Sequence, residues 1–276
     1  MAGEQGAIAI DEWIVKSPFG GIPMIDQLDF CQRKYFRAQP WKLWLAGWTI
    51  GGCLLGLVTG AQAATYTLYD GAKNTAPGSQ GWITVLNGAT QTVGGGATVL
   101  NTTVGGNATQ AGYSRFSQPF ALDRNAGYTL GIDVQLLTES HASKDRAGLS
   151  VTILGVDRWG VELAFWASDP TITDRLWVQN DGRVAGKPLF THGEGTSFNP
   201  TGTVVHYDLA IRGNTYRLFA KRNYSTPILT GTVKNYSVFG FPYNSSNFLF
   251  VGDNTKSASG SFKLVKVELS NQAIGF

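Results

Sequence analysis

From residue 64 to residue 276 the chain has no cysteine; its two cysteines, Cys31 and Cys53, come earlier. That excludes disulfides and thiolate chemistry from this stretch, so its stability must rest on a packed core. Charge is scarce as well. Asp, Glu, Lys and Arg make up 15% of the chain, and the formal net charge is +3. So small a balance excludes the electrostatic footprint of a nucleic-acid binder. Arg212, Arg217, Lys221 and Arg222 do cluster, but on alternating strands they read as one solvated face. Paired carboxylates are missing too: after Ala63 no two acids lie closer than five positions. A polysaccharide hydrolase needs two carboxyl groups about 5–9.5 Å apart across the scissile bond. Strand positions i and i+2 or i+4 would supply such a pair on one face. A pair across strands stays open, with Glu162 its best single member. A lone carboxylate there is read first as a structural hydrogen-bond acceptor. No G-x-S-x-G elbow and no H-E-x-x-H spacing occur, and His141, His192 and His206 are scattered.

One long apolar run stands out against this. Arg33, Lys34, Arg37 and Lys42 precede an uncharged segment from Leu43 to Val58, which ends in Thr59-Gly60-Ala61-Gln62-Ala63-Ala64. A basic flank, an apolar centre and an A-x-A exit describe a secretory signal peptide. Cleavage is expected between Ala63 and Ala64. Four glycines in the run weigh against a permanent membrane anchor. Ile50-Gly51-Gly52-Cys53 has the look of a lipid-acceptor box, but the residues after Cys53 stay apolar. The expected organisation is a leader extension over 1–40, disordered, a signal-peptide hydrophobic helix over 41–63, and one β-sandwich domain over 64–276. Met24 is a second candidate start. The mature part is then secreted or at the cell surface, extracellular or periplasmic. It meets a membrane only through its leader.

The exported stretch reads as strands. Glycine numbers 35 in the chain and aromatics make up 12%, a composition that suits twisted strands and tight turns. Tyr128, Leu130, Ile132, Val134 and Leu136 share one face of the clearest strand; Thr129, Gly131, Asp133 and Gln135 share the other. Leu149–Leu154, Val161–Trp166 and Arg175–Gln179 are further strands. Gly213-Asn214 joins the strand ending at Arg212 to Thr215–Ala220 as a tight hairpin. Residues 88–112 repeat Gly-Ala-Thr and Val-Gly-Gly and read as a polar hairpin or mobile loop pair. Alternation slips near Leu264-Val265 in the last strand, which signals a bulge or two-sided burial. Val233–Phe239 is the best short helix. About a dozen closely spaced strands in 213 residues mean a two-sheet sandwich or a barrel.

Four stretches in order carry a resemblance: Arg146-Ala147-Gly148-Leu149-Ser150-Val151, Trp159-Gly160-Val161-Glu162-Leu163-Ala164-Phe165-Trp166, Arg175-Leu176-Trp177-Val178-Gln179-Asn180 and Phe248-Leu249-Phe250-Val251-Gly252-Asp253-Asn254-Thr255. They resemble exported bacterial domains of the concanavalin A-like, laminin-G-like jelly-roll class, most nearly the cyanobacterial choice-of-anchor domains. The resemblance implies an all-β, two-sheet antiparallel jelly-roll sandwich. Its anchored members end in an attachment tail that this sequence does not show. The class also implies calcium candidates at Asp253 and Asn254, after Gly252, and at Asp181, with Asn180 before Gly182, although Asn/Asp-Gly pairs are turn formers first. No cofactor is required.

Sugar recognition uses aromatic faces with amides and carboxylates around them. Trp159, Trp166 and Trp177, with Gln179 and Asn180, supply that chemistry on neighbouring strands. Core packing is the competing use for a sandwich Trp. The expected function is a non-catalytic binding or adhesion module for extracellular glycan or a surface protein. The alternatives are an envelope or matrix structural domain without a small ligand, and a glycoside-active enzyme with a non-standard site.

Overall fold

The computed structural model describes residues 63–105, 109–184 and 186–276, which belong to one compact unit over Gln62–Phe276. The expected leader extension and, apart from Ala63, the expected signal-peptide helix lie outside the described residues. Ala63 and Ala64 lead into the first strand, where the Ala64 amide donates to Asn271 Oδ1 at 2.8 Å.

Two antiparallel sheets form a jelly-roll sandwich. The first runs in spatial order β15 (Leu229–Thr232), β14 (Thr215–Ala220), β13 (Val205–Arg212), β6 (Tyr128–His141), β18 (Ala258–Ser270), β4 (Ala97–Asn101) and β3 (Thr90–Gly94); β1 (Thr65–Asp70) also pairs with β18. The second runs β12 (Thr191–Thr196), β9 (Leu176–Asn180), β8 (Trp159–Phe165), β7 (Ser150–Leu154), β17 (Phe248–Asp253), β5 (Ala111–Arg115) and β2 (Ile83–Val85), with β16 (Lys234–Asn235) added to β8. A short hairpin, β10 (Arg183–Val184) and β11 (Lys187–Pro188), stands apart.

Alternation places the core. On β6 the row Tyr128, Leu130, Ile132, Val134 and Leu136 is buried, and it meets Val161, Leu163 and Phe165 of β8 and Leu176 and Val178 of β9 in one cluster. Period-two side chains can do this only because strands put successive residues on opposite faces. The slip near Leu264-Val265 is a bulge: the register between β18 and β6 shifts between Leu264 and Lys266. The extra residue lets Leu264 and Val267 both stay buried. The Gly-Ala-Thr stretch forms the β3–β4 hairpin, turned at Gly94-Gly95-Gly96, where Gly95 and Gly96 have φ of 59° and 76°. The predicted short helix is a single 3-10 turn, Tyr236–Phe239, capped by the Asn235 side chain.

The central strands of the second sheet, β7, β8, β9 and β17, are buried on both faces. The outer side of this sheet carries a smaller aromatic cluster of Leu154, Tyr236, Phe239, Tyr243, Phe248 and Phe250, against which Phe116 and Phe190 pack. Segment 236–247 lies across the sheet there. Polar residues gather beside this second core.

Candidate functional site on the outer face of the second sheet

Three strands build the site. Inward residues of β8 and β9 fill the main core, so Gly160, Glu162, Ala164 and, on β9, Trp177 and Gln179 face outward. Across the strands Thr152 stands opposite Glu162, Ser150 opposite Ala164, and Ala164 opposite Trp177. Small residues at 150 and 164 make room for the indoles beside them.

Glu162 is fully buried, and its carboxylate is held from several directions. The Tyr243 hydroxyl donates to Oε2 at 2.7 Å and the Thr152 hydroxyl donates to it at 3.3 Å. The Asn254 side-chain amide donates to Oε1 at 3.0 Å. Arg146 Nη1 lies 3.5 Å from Oε1 and Arg146 Nη2 donates to Asn254 Oδ1 at 2.7 Å. The same guanidinium lies over the Phe190 ring, 4.4 Å from its centroid. Tyr236 closes the circuit: its hydroxyl accepts from the Glu162 amide at 3.2 Å and donates to the Gln179 carbonyl at 2.6 Å. Burial pushes both tyrosine hydroxyls well above their ordinary pKa, and the charge of Glu162 adds to it. They therefore act as neutral donors. A buried carboxylate paired and hydrogen-bonded in this way is the arrangement the interior tolerates.

At the rim two imidazoles lie on two indoles. His141 stacks on Trp166 at 4.3 Å and 10°, and His192 stacks on Trp177 at 4.1 Å and 14°. The indoles meet edge to face at 5.2 Å. Trp166 Nε1 donates to the Arg146 carbonyl at 2.8 Å, which ties the rim to the carboxylate site. His141 Nδ1 faces Glu139 at 2.9 Å and Nε2 faces Asp169 at 3.2 Å. Burial lowers the His141 pKa, but the two carboxylates outweigh it and the net shift is upward. Asp169 moves the other way: hydrogen bonds from Thr171 hold its pKa below the usual value. His192 Nε2 lies 3.2 Å from Asp174.

Four buried polar atoms of this face have no hydrogen-bond partner among the described residues: Ser150 Oγ, Trp177 Nε1, Gln179 Oε1 and, apart from its ion pair, Arg146 Nη1. Buried polar atoms are nearly always satisfied. Here one donor, one acceptor and one hydroxyl stand unpaired within the same few residues, beside an Arg146 Nη1 whose contact is the ion pair with Glu162.

The structure brings Trp166, Trp177, Gln179 and Asn180 together. Trp166 and Trp177 are fully buried, so their rings support the imidazoles and present no open face. Gln179 is buried and donates to the Asp145 carbonyl at 2.8 Å. Asn180 is half-buried and donates to the His192 carbonyl at 3.2 Å. Trp159 is not part of this group. It starts β8, packs against the main core and lies under Arg124, 5.5 Å from the ring centroid.

Asp253, Asn254 and Asp181 do not converge. The Asp253 carboxylate accepts from the Thr102 hydroxyl at 2.7 Å and the Thr255 amide at 3.1 Å. Asp181 accepts from the Asn235 amide at 2.6 Å. Asn254 is bonded to Glu162 and Arg146. Among the described residues no group of three or more His, Asp or Glu side chains is arranged to hold a metal ion. Sequence reasoning missed Arg146, Tyr236, Tyr243 and the two histidines as site residues. The tyrosines sit in a segment without periodicity, and the histidines are 51 positions apart in the sequence. Of the network around the carboxylate, only Arg146, Glu162, Gln179 and Asn254 lie within the four motif stretches.

No protein-family model matches the sequence, and no curated protein matches it. Solved structures do resemble it. One is the carbohydrate esterase vb_24B_21 from Shiga toxin-encoding bacteriophage phi24B, at 12% identity and TM-score 0.48, covering 76% of this chain and 100% of that one. Another is the exoplasmic/lumenal domain of VIP36 in a Ca2+/Man2-bound form, at 8% identity and TM-score 0.46, covering 75% of this chain and 88% of that one. A third is a family 29 carbohydrate binding module, at 11% identity and TM-score 0.35, covering 76% of this chain and 90% of that one. At such low identity and superposition these likenesses say nothing of what this chain binds.

Proposed function

We propose that the domain is a non-catalytic glycan-binding module of the exported jelly-roll class, of the kind found among choice-of-anchor domains. The observation that carries this reading is the set of unpaired polar atoms at Ser150, Trp177 and Gln179, beside stacked aromatic rings on one sheet face. A hydroxyl-rich ligand offers both donors and acceptors, which this mixed set requires. On the β9–β12 side Asn180 and His192 are only half-buried, and a ligand would reach the unpaired atoms past them. Catalysis finds less support. Glu162 is tied to Arg146, Asn254, Tyr243 and Thr152, with no second carboxylate among those contacts. Two-carboxylate glycoside hydrolysis needs such a partner.

A glycan array on the exported protein, run with and without calcium, should give a saturable signal for a restricted group of glycans. His192→Ala and Asn180→Ala should each weaken the best of them about tenfold or more. Absence of any glycan signal, or binding indifferent to both substitutions, would remove this site from the function. A signal only with calcium would point to a metal held by residues other than Asp253, Asn254 and Asp181 together.

Export is part of the same proposal. Its support is the basic flank, apolar run and A-x-A exit, with the sandwich starting at the exit: β1 begins at Thr65 and Ala64 is already bonded to Asn271. N-terminal sequencing of exported protein should read from Ala64. A mature start at Cys53, or an intact leader, would contradict it.

A further inference from the structure

The first sheet carries a hollow on its own outer face, sharing no residue with the network around Glu162. β6 runs between β13 and β18, and its outward residues form the middle of a grid. Lys266, Asp133 and His206 make one row across the three strands. Glu268, Gly131 and Asp208 make the next, and Ser270, Thr129 and Ala210 the third. Gly131 is the centre of this grid. A glycine inside a strand weakens it, and where it persists it often marks a close approach by a ligand or another backbone. Its backbone is not in the left-handed region, so turn geometry does not demand it. What its missing side chain leaves is space. A Cβ there would lie 3.3 Å from Asp208 Oδ1, 3.5 Å from His206 Cε1 and 3.7 Å from Glu268 Cβ.

That space is a pocket of about 70 Å³, with Gly131, His206, Asp208, Arg222, Tyr224 and Glu268 in its lining. Two acidic residues, Asp208 and Glu268, flank the glycine on the neighbouring strands. Their strands flank β6, so their Cα atoms stand about 9–10 Å apart, twice the strand spacing. Asp208 is buried. Its Oδ2 accepts from the Tyr224 hydroxyl at 2.9 Å and is ion-paired with His206 Nε2 at 2.9 Å without hydrogen-bond geometry, while Oδ1 lies over Gly131. Glu268 uses only Oε1 in its contacts with Lys266 at 2.6 Å and Thr67 at 3.4 Å. His206 Nδ1 is held by Asp133 at 2.6 Å. Burial lowers the His206 pKa, but Asp133 and Asp208 outweigh it and carry it up to about 9. It is an imidazolium at neutral pH.

The charges cancel. Asp133, Asp208 and Glu268 are matched by His206, Lys266 and Arg222, so neither an anion nor a cation gains from the field as a whole. What remains at the pocket wall are Asp208 Oδ1 over Gly131, the second carboxylate oxygen of Glu268 and the Arg222 side chain. From this we infer that the hollow over Gly131 binds the vicinal diol of a neutral sugar, with Asp208 and Glu268 accepting from its hydroxyls and Arg222 donating to it. Carboxylates that accept from adjacent hydroxyls are charge-assisted and geometrically selective. The volume admits the diol edge of a ring and not a whole oligosaccharide, so the ligand is a chain end or a branch. This site is independent of the one on the second sheet and stands if that one fails.

The test is a titration of the ¹⁵N-labelled full chain with the methyl glycosides of glucose, galactose and mannose. At least one should give saturable amide shifts at Gly131, Thr129 and Ser270. Gly131→Ala adds one methyl to an extended backbone and fills the floor. It should weaken that binding tenfold or more while the rest of the spectrum stays native. Glu268→Gln, at a partly exposed position, should weaken it about fivefold with no change of shape. Shifts that survive Gly131→Ala unchanged, or no saturable shift near Gly131 with any of the three, would overturn the assignment. Tighter binding of glucosamine than of methyl glucoside would identify a cationic ligand and overturn it as well. Shifts confined to Gln179 and His192 would refute this site and leave the reading of the other sheet intact.

Discussion

Arg146→Met should lower the stability of the domain by about 3–5 kcal/mol, the usual cost of leaving one member of a buried ion pair alone. For a domain of this length that is a fall in Tm of roughly 10 °C. The reason is Glu162. Its side chain has no solvent exposure, and Arg146 at 3.5 Å is its only cation among the described residues. Met keeps an apolar side chain at this position but removes the charge over Phe190 and the bond to Asn254 Oδ1. Tyr243, Asn254 and Thr152 would still donate to the carboxylate, but neutral donors do not replace a cation in so dry a place. Glu162→Gln in the same background should restore much of the loss. The amide oxygen keeps the Asn254 bond, and the amide nitrogen turns to the Tyr243 and Thr152 oxygens, which can rotate to accept. The double variant should therefore be more stable than Arg146→Met alone, and thermal unfolding of the four proteins in the cycle measures that coupling. A loss under about 1 kcal/mol for Arg146→Met would mean that water reaches Glu162. The carboxylate would then be part of an open site.

The sequence carried the sandwich and half of this network. Alternation along Tyr128–Leu136 predicted which residues face the main core, because one buried face imposes period two. The slip at Leu264-Val265 predicted the bulge for the same reason: a run that must bury both Leu264 and Val267 cannot keep strict alternation. β12 leaves no such signal. Thr191–Thr196 reads Thr-His-Gly-Glu-Gly-Thr, with no apolar alternation, because it is an edge strand half-buried throughout and bulged between His192 and Gly195.

The site is harder to read, and the reason is topological. Glu162 stands out in the sequence only as a lone acid. Its partners come from residues 146, 243 and 254, and nothing local ties those positions to it. Spacing within one strand is also too narrow a criterion for carboxylate pairs. Asp208 and Glu268 are 60 positions apart in sequence and flank the same glycine in the sheet. The three tryptophans show the opposite error. As residue types they suggest one aromatic surface, but Trp166 and Trp177 lie beneath histidines, and Trp159 sits near the other end of β8.

Asp253 supplies the second large effect, and its sign depends on pH. It is fully buried at the end of β17, and burial pushes its pKa up to about 8, although bonds from Thr102 and Thr255 and the charge of Arg146 pull it down in part. In the unfolded chain an Asp has a pKa of about 3.9. Between these values the native carboxyl holds a proton that the unfolded one has released. The stability this proton brings is fully present below about pH 4 and is lost as pH rises through about 8. The loss over that window is on the order of several kcal/mol, at about 1.4 kcal/mol per unit. Asp253→Asn should copy the protonated acid: its amide donates to the Thr102 hydroxyl, which itself donates to the Gly260 carbonyl at 3.1 Å, and its oxygen accepts from the Thr255 amide. The variant should match the parent near pH 4 and pull ahead of it steadily towards pH 8. His141, His206 and Asp169 titrate in both proteins and cancel in the difference. Urea unfolding of the two proteins at pH 4, 6 and 8 measures the gap. A gap that stays constant with pH would show that Asp253 is ionised in the folded domain throughout. Its charge would then need a counter-ion beyond Arg146, and a bound cation at the end of β17 would become the first candidate.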